Sequence, residues 1–282
     1  MTTPLVAHSS HQLVAADGTN LFVSDYLLPP SAARGSIVLM HGIGEHSGRY
    51  RPLAAWLNHA GLSVRCYDHR GHGRSGGARG DVPNGTPMVQ DAQIVIDDFA
   101  RRASRPPYLF GHSMGGLFAA HVALSGVSRV RGLVLSSPAL AVQLSGVQRA
   151  LLKGMHALAP RLGIPNGLEI KYLSHDEDVL AAYNTDPLVH NKISARLLKG
   201  MQASMAYCHA NAATLSVPLL MQLAGDDRLV DAEGSRRFMS SAPSGLATLK
   251  TYDGYYHEIY NESGAELPMA DLHAWLSAQD GP

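Results

Sequence analysis

Tyr108-Leu109-Phe110-Gly111-His112-Ser113-Met114-Gly115-Gly116-Leu117-Phe118-Ala119-Ala120 runs from an apolar strand-like start, through a serine between glycines, into a helix-forming tail. Strand, tight turn and helix in immediate succession are the setting in which a G-x-S-x-G pentapeptide, here Gly111 to Gly115, lifts a serine hydroxyl above the edge of a sheet. Both flanking positions require glycine, because a Cβ there would collide with the adjoining strand and helix. Ser113 is therefore the candidate nucleophile.

Outward from this stretch, short apolar or β-branched runs alternate with longer helical patterns, which predicts an α/β fold with a mostly parallel central sheet flanked by helices. Strands are expected at 21–26, 36–40, 63–67, 108–110, 132–136, 218–223 and 247–252. Helices are expected at 50–60, 88–102, 115–124, 231–240 and 268–279, the last with Met269, Leu272, Trp275 and Leu276 on the face that packs on the sheet. The alternation breaks between Pro138 and Cys208, where helical patterns follow one another without a strand-like run. Residues 1–137 and 209–282 are thus expected to form one core, and 138–208 a helical cap. Leu140, Leu144, Val147, Leu151, Met155 and Leu158 recur at helical spacing in that insertion. Such a stripe suits core packing first, with an acyl chain or a lipid surface as the alternative.

The bulk properties agree. At 282 residues the chain can bury one large core, and with 45% hydrophobic and 16% charged residues it has the composition of a folded globular protein. Lys plus Arg and Asp plus Glu both number 23, so no long-range field favours nucleic acid as a partner. Cys66 and Cys208 lack the CxxC spacing of metal or redox sites and are expected to be buried thiols. No apolar run approaches a membrane span, and the first twenty residues lack a signal-like apolar core, so a cytoplasmic location is expected.

A serine hydroxyl needs a base, and the base needs an acid to hold it. The run 218–223 leads into Gly225-Asp226-Asp227-Arg228, which supplies the acid; Asp227 is preferred, with its neighbour Asp226 as the alternative. The run 247–252 leads into Asp253-Gly254-Tyr255-Tyr256-His257, and His257, placed between the last strand and the terminal helix, is the expected base. The loop His41-Gly42-Ile43-Gly44 follows the strand 36–40, and the amides of Ile43 and Met114 are the expected oxyanion donors, the latter at a helix start. All these pieces follow predicted strands, whose loops share one edge of a parallel sheet, where ligands bind.

Two other patterns are set aside. Gly71-His72-Gly73-Arg74-Ser75-Gly76 satisfies G-x-G-x-x-G, but a turn-forming stretch follows where a dinucleotide site needs a helix. His41, Glu45 and His46 lack the i, i+4 spacing of a helical zinc motif. No metal and no cofactor are expected.

Over nearly its whole length the chain resembles the monoglyceride lipase and lysophospholipase group of α/β-hydrolases. The likeness rests on HGIGEHSGRY (41–50), DHRGHGRS (68–75), GHSMGG (111–116), YNTDPL (183–188) and YYH (255–257). The resemblance implies acyl transfer through Ser113, His257 and Asp227, with a cap sheltering an acyl pocket. It also implies head-group contacts at Glu45 and Tyr183, and at Tyr260, where some relatives have a histidine. The substrate class implied is a small lipid-like ester such as a monoacylglycerol or lysophospholipid, with transient membrane or micelle contact through the cap. A short-chain carboxylesterase, a cap-bearing serine peptidase, a cofactor-free haloperoxidase and a ligand-binding protein on the same fold are the alternatives.

Overall fold

The computed structural model describes residues 6–83, 85–103, 105–142 and 146–279. In chain order its main elements are β1 (Ala7–Val14), β2 (Asn20–Leu27), β3 (Gly35–Met40), α1 (Arg51–His59), β4 (Leu62–Tyr67), α2 (Pro87–Ala100), β5 (Tyr108–His112), α3 (Met114–Ser125) and β6 (Gly132–Ser136). There follow α4 (Gly146–Leu158), β7 (Gly163–Pro165), α5 (Glu177–Thr185), β8 (Lys192–Ser194) and α6 (Ala195–Asn211). Last come β9 (Leu219–Ala224), α7 (Ala232–Ser241), β10 (Ala247–Tyr252) and α8 (Glu266–Gln279).

Eight strands form one sheet in the order β1-β2-β4-β3-β5-β6-β9-β10. β1 and β2 pair antiparallel, as do β2 and β4, and the pairs from β4 to β10 are parallel. β4, β5, β6 and β9 are buried at every residue, because helices cover both faces; β5, β6 and β9 accordingly read as mainly apolar runs, whereas β4 carries Ser63 and Arg65 among its apolar residues. The two faces carry separate cores. One is filled by α2, α3 and α6, the other by α1 and α8, where Leu272, Trp275 and Leu276 are buried and the Trp275 ring meets Tyr108 edge-on at 5.9 Å. Where the sheet turns antiparallel, the fully buried Arg65 of β4 forks onto Asp25 of β2 at 2.7 and 2.8 Å and reaches Asp98 of α2 at 2.7 Å.

Three features depart from the sequence expectations. β1 is additional: its residues are mostly exposed on both faces, so it carries no alternating apolar signal. The insertion contains a strand pair, β7 with β8, three residues each and too short to produce a pattern. The stripe from Leu140 to Leu158 is not one helix face. Leu140 precedes α4 and lies in the main core, Met155 is half-buried and Leu158 is 90% exposed. Leu144 and the side chains of Val147 and Leu151 lie outside the described residues.

The insertion is anchored through α6 and through its middle. α6 buries Leu197, Met201, Met205 and Cys208, one helix face, in the same core as α3. Cys208 and Cys66 are both buried free thiols, and burial pushes Cys208 up to about 12, far from a reactive thiolate. Earlier in the insertion, the carbonyls of Tyr172 and Leu173 accept the amides of His257 and Glu258, at 3.3 and 2.8 Å. The amide of His190 donates to Gly44 at 2.8 Å, so the insertion also fastens the loop after β3.

Candidate active site

The serine elbow forms as its spacing requires. Ser113 stands between β5 and α3 at φ 53°, ψ −119°, a conformation that costs a non-glycine residue about 1–3 kcal/mol and persists only where its surroundings enforce it. A Cβ on Gly111 would lie 2.5 Å from the carbonyl oxygen of Gly115, and one on Gly115 would strike the carbonyls of Met40 and His41 at the end of β3. These glycines let α3 close against β3, which carries Ser113 to the glycine loop that follows that strand.

That loop runs over Ile43, and Met114 is the first residue of α3, where an amide has no intrahelical acceptor and the helix dipole favours an anion. Gly44, at φ +79°, takes the turn, and a Cβ on it would strike the His190 carbonyl of the insertion.

After β9, Asp227 is buried, its side chain 2% exposed. Oδ1 accepts the amides of Leu229 and Val230 at 2.9 and 3.1 Å, and Oδ2 accepts His257 Nδ1 at 2.8 Å. Asp226 instead pairs with Arg228 on the surface at 2.6 Å, so the geometry singles out Asp227 of the two. Burial opposes the Asp227 charge, but His257 and the two amides outweigh it and hold the carboxyl below the usual range. Burial likewise depresses the His257 imidazolium, and here Asp227, assisted by Glu258 and Glu45, wins and raises it above the ordinary 6.5. With Nδ1 donating to Asp227, Nε2 is the nitrogen left for a serine proton.

Ser113 and His257 line one cavity with Gly42, Ile43, Glu45, Tyr183 and Glu258, closed on the insertion side by Leu168 and Leu173. The His112 ring lies 4.7 Å from that of His257, and burial pushes His112 down to about 4, leaving it neutral.

The three residues assigned to the head group fare differently. Tyr183 lines the cavity, 5% exposed. Glu45 lines it too, yet both its oxygens are engaged: Oε1 by the Gly42 amide and the Tyr50 hydroxyl, Oε2 by Arg49. The structure does not bring Tyr260 to this cavity. Its ring packs edge-on against Phe110 of β5 at 5.5 Å and its hydroxyl donates to Gln222 of β9. Arg49 and Glu258 were not reached from sequence. Both lie in or beside recognisable motifs, but no local pattern says that a charged residue is buried.

Residues 71–80 form turns and bends, so the glycines of the G-x-G-x-x-G match do not open a helix. Among the described residues no helix is long and apolar enough to cross a membrane.

A sheet of this order, with a strained serine and a histidine–aspartate pair on loops after its parallel strands, is that of an α/β-hydrolase. The chain belongs to the Hydrolase_4 family, described as serine aminopeptidase, S33, which matches residues 31–264. It is 37% identical to a monoacylglycerol lipase of Mycolicibacterium smegmatis over 95% of this chain and 96% of that one. It is 36% identical to phospholipase YtpA of Bacillus subtilis over 82% and 90% of the two chains. The crystal structure of a Paleococcus ferrophilus monoacylglycerol lipase superposes with a TM-score of 0.83 at 35% identity, covering 92% of this chain and 99% of that one. The protein is accordingly a carboxylic-ester hydrolase similar throughout its length to monoacylglycerol lipases.

Proposed function

We propose that the protein hydrolyses monoesters of aliphatic acyl chains, monoacylglycerols foremost and lysophospholipids next, by acyl transfer through Ser113. His257 takes the serine proton, and the hydroxyl oxygen attacks the ester carbonyl. The amides of Ile43 and Met114 receive the oxyanion, and His257 then protonates the leaving alcohol. Water, deprotonated by the same imidazole, releases the fatty acid. Asp227 holds the imidazole in the required tautomer and stabilises the imidazolium. The observation that carries this reading is His257, held by Asp227, lining one cavity with a serine in a strained elbow.

Residues 138–208 act as the cap in this proposal. Leu168 borders the Ser113 cavity, while Asn166 and Gly167 beside it border an apolar groove between α4, β7 and α6. That groove suits an acyl chain, with Tyr183 toward the head group. Leu158 and Leu162, 90% and 57% exposed, support transient contact of the cap with a lipid surface. The unpaired buried thiols fit a reducing, cytoplasmic setting.

The family's description as a serine aminopeptidase favours one second reading, amide cleavage at a free N-terminus. Purified protein offered monoacylglycerols of increasing chain length, p-nitrophenyl esters and aminoacyl p-nitroanilides discriminates the two. The expected result is the highest kcat/KM on medium or long acyl monoesters. Preference for the anilides would establish the peptidase reading, and turnover of short esters alone would leave a general carboxylesterase.

A further inference from the structure

The wall of the Ser113 cavity contains a buried charged cluster that the acyl-transfer steps do not use. The Arg49 side chain, 11% exposed, places Nη1 2.7 Å from Glu45 Oε2 and 2.6 Å from Glu258 Oε1, and Nη2 2.7 Å from Glu258 Oε2. The guanidinium lies over the Tyr183 ring at 4.8 Å. Glu45 Oε1 accepts the Gly42 amide at 2.6 Å and the Tyr50 hydroxyl at 2.8 Å, and Glu258 Oε2 accepts Asn261 Nδ2 at 2.8 Å. Gly42 immediately precedes the oxyanion donor Ile43, and Glu258 immediately follows His257. An unbroken line of polar contacts therefore joins the donor loop to the base: Gly42 amide, Glu45, Arg49, Glu258.

We propose that Arg49 is a positioning residue that clamps the oxyanion loop to the histidine loop, and that Glu258 completes the clamp while leaving the cluster with a net negative charge that stabilises the His257 imidazolium. The inference rests on the acyl-transfer reading. A guanidinium fork fixes both distance and orientation of the carboxylate it grips, and a lysine ammonium in its place keeps the charge but not the fork. One cation against two carboxylates leaves one negative charge in the cavity wall. The groups that face His257 are Asp227 from the β9 loop, His112 from β5, Glu258 on its own loop and Glu45 from the β3 loop, with Arg49 behind the last two. His112 is neutral near pH 7, so the field at the imidazole is set by the three carboxylates and by Arg49.

The test compares wild type with Arg49→Lys and Glu258→Gln in p-nitrophenyl ester hydrolysis, as kcat and KM across pH, with thermal unfolding of each. In Arg49→Lys, kcat falls about tenfold or more from misplacement of base against donor. Its KM stays within about twofold and its acid limb does not move, since uniform binding and charge are unchanged. In Glu258→Gln the cluster becomes neutral, so the acid limb of kcat/KM moves to lower pH by about half a pH unit. Wild-type kcat in a folded Arg49→Lys enzyme, or an unmoved acid limb in Glu258→Gln, would overturn the clamp. Glu258→Gln keeps the size of the side chain and decides the matter alone if Arg49→Lys does not fold. Ser113→Ala assayed alongside separates the two claims: turnover retained there counts against acyl transfer at Ser113, whereas its loss with both cluster variants unaffected counts against the clamp only.

Discussion

Two adjacent carboxylates, Asp226 and Asp227, differ by one residue in sequence and by almost everything in environment. One is paired with Arg228 at the surface; the other is buried, accepts two amides and grips His257. Replacing Asp227 with Asn removes the acceptor that fixes the imidazole tautomer, and kcat/KM should drop about a thousandfold or more. Asp226→Asn should stay within about threefold of wild type. Parallel ester assays on the two variants check this, and equal losses would contradict the assignment. Because the base must be neutral and His257 is raised above 6.5, activity is lost as pH falls through that raised value. The acid limb of wild-type kcat/KM should therefore have its midpoint above pH 6.5. Sequence narrowed the acid to two positions because strand ends locate a loop to within a residue, while the direction of each side chain depends on turn geometry. The head-group role that the resemblance implies for Tyr260 meets a different placement: three residues past His257 it shares the loop, yet its ring packs against Phe110.

Among the elements, those buried on both faces were legible and those at the margins were not. β5, β6 and β9 carry mainly apolar runs, α3 is apolar all round, and α1 and α2 carry amphipathic stripes. β1 is held by pairing with β2 rather than by burial, and β7 and β8 by three residues of register, so none of the three leaves a periodic trace. The Arg65–Asp25 pair was hidden for a related reason, as a charged residue inside an apolar strand. It ties the antiparallel junction of β2 and β4 to α2 through Asp98, with the Phe99 ring 4.6 Å from the guanidinium. Arg65→Met should destabilise the fold by about 3–5 kcal/mol by stranding Asp25, and the double change Arg65→Met with Asp25→Leu should recover most of the loss. Urea unfolding monitors both; a single variant as stable as wild type would show that the pair contributes nothing to the junction.

For the whole molecule, the site exists because a parallel sheet delivers separate chain segments to one edge. The β3 loop brings Ile43, the β5 elbow brings Ser113 and Met114, the β9 loop brings Asp227, and the segment after β10 brings His257. The segment between β6 and β9 lends Leu168, Leu173 and Tyr183 to the Ser113 cavity and is fastened by α6 to the core and by Tyr172 and Leu173 to the histidine loop. Acyl transfer in this proposal places the acyl group on Ser113. A serine-directed fluorophosphonate followed by intact mass and peptide mapping tests it most directly. The expected result is one stoichiometric adduct on the peptide containing Ser113, formed in parallel with loss of ester hydrolysis and absent in Ser113→Ala. An adduct on another residue, or a Ser113→Ala protein that still hydrolyses esters at the wild-type rate, would contradict it.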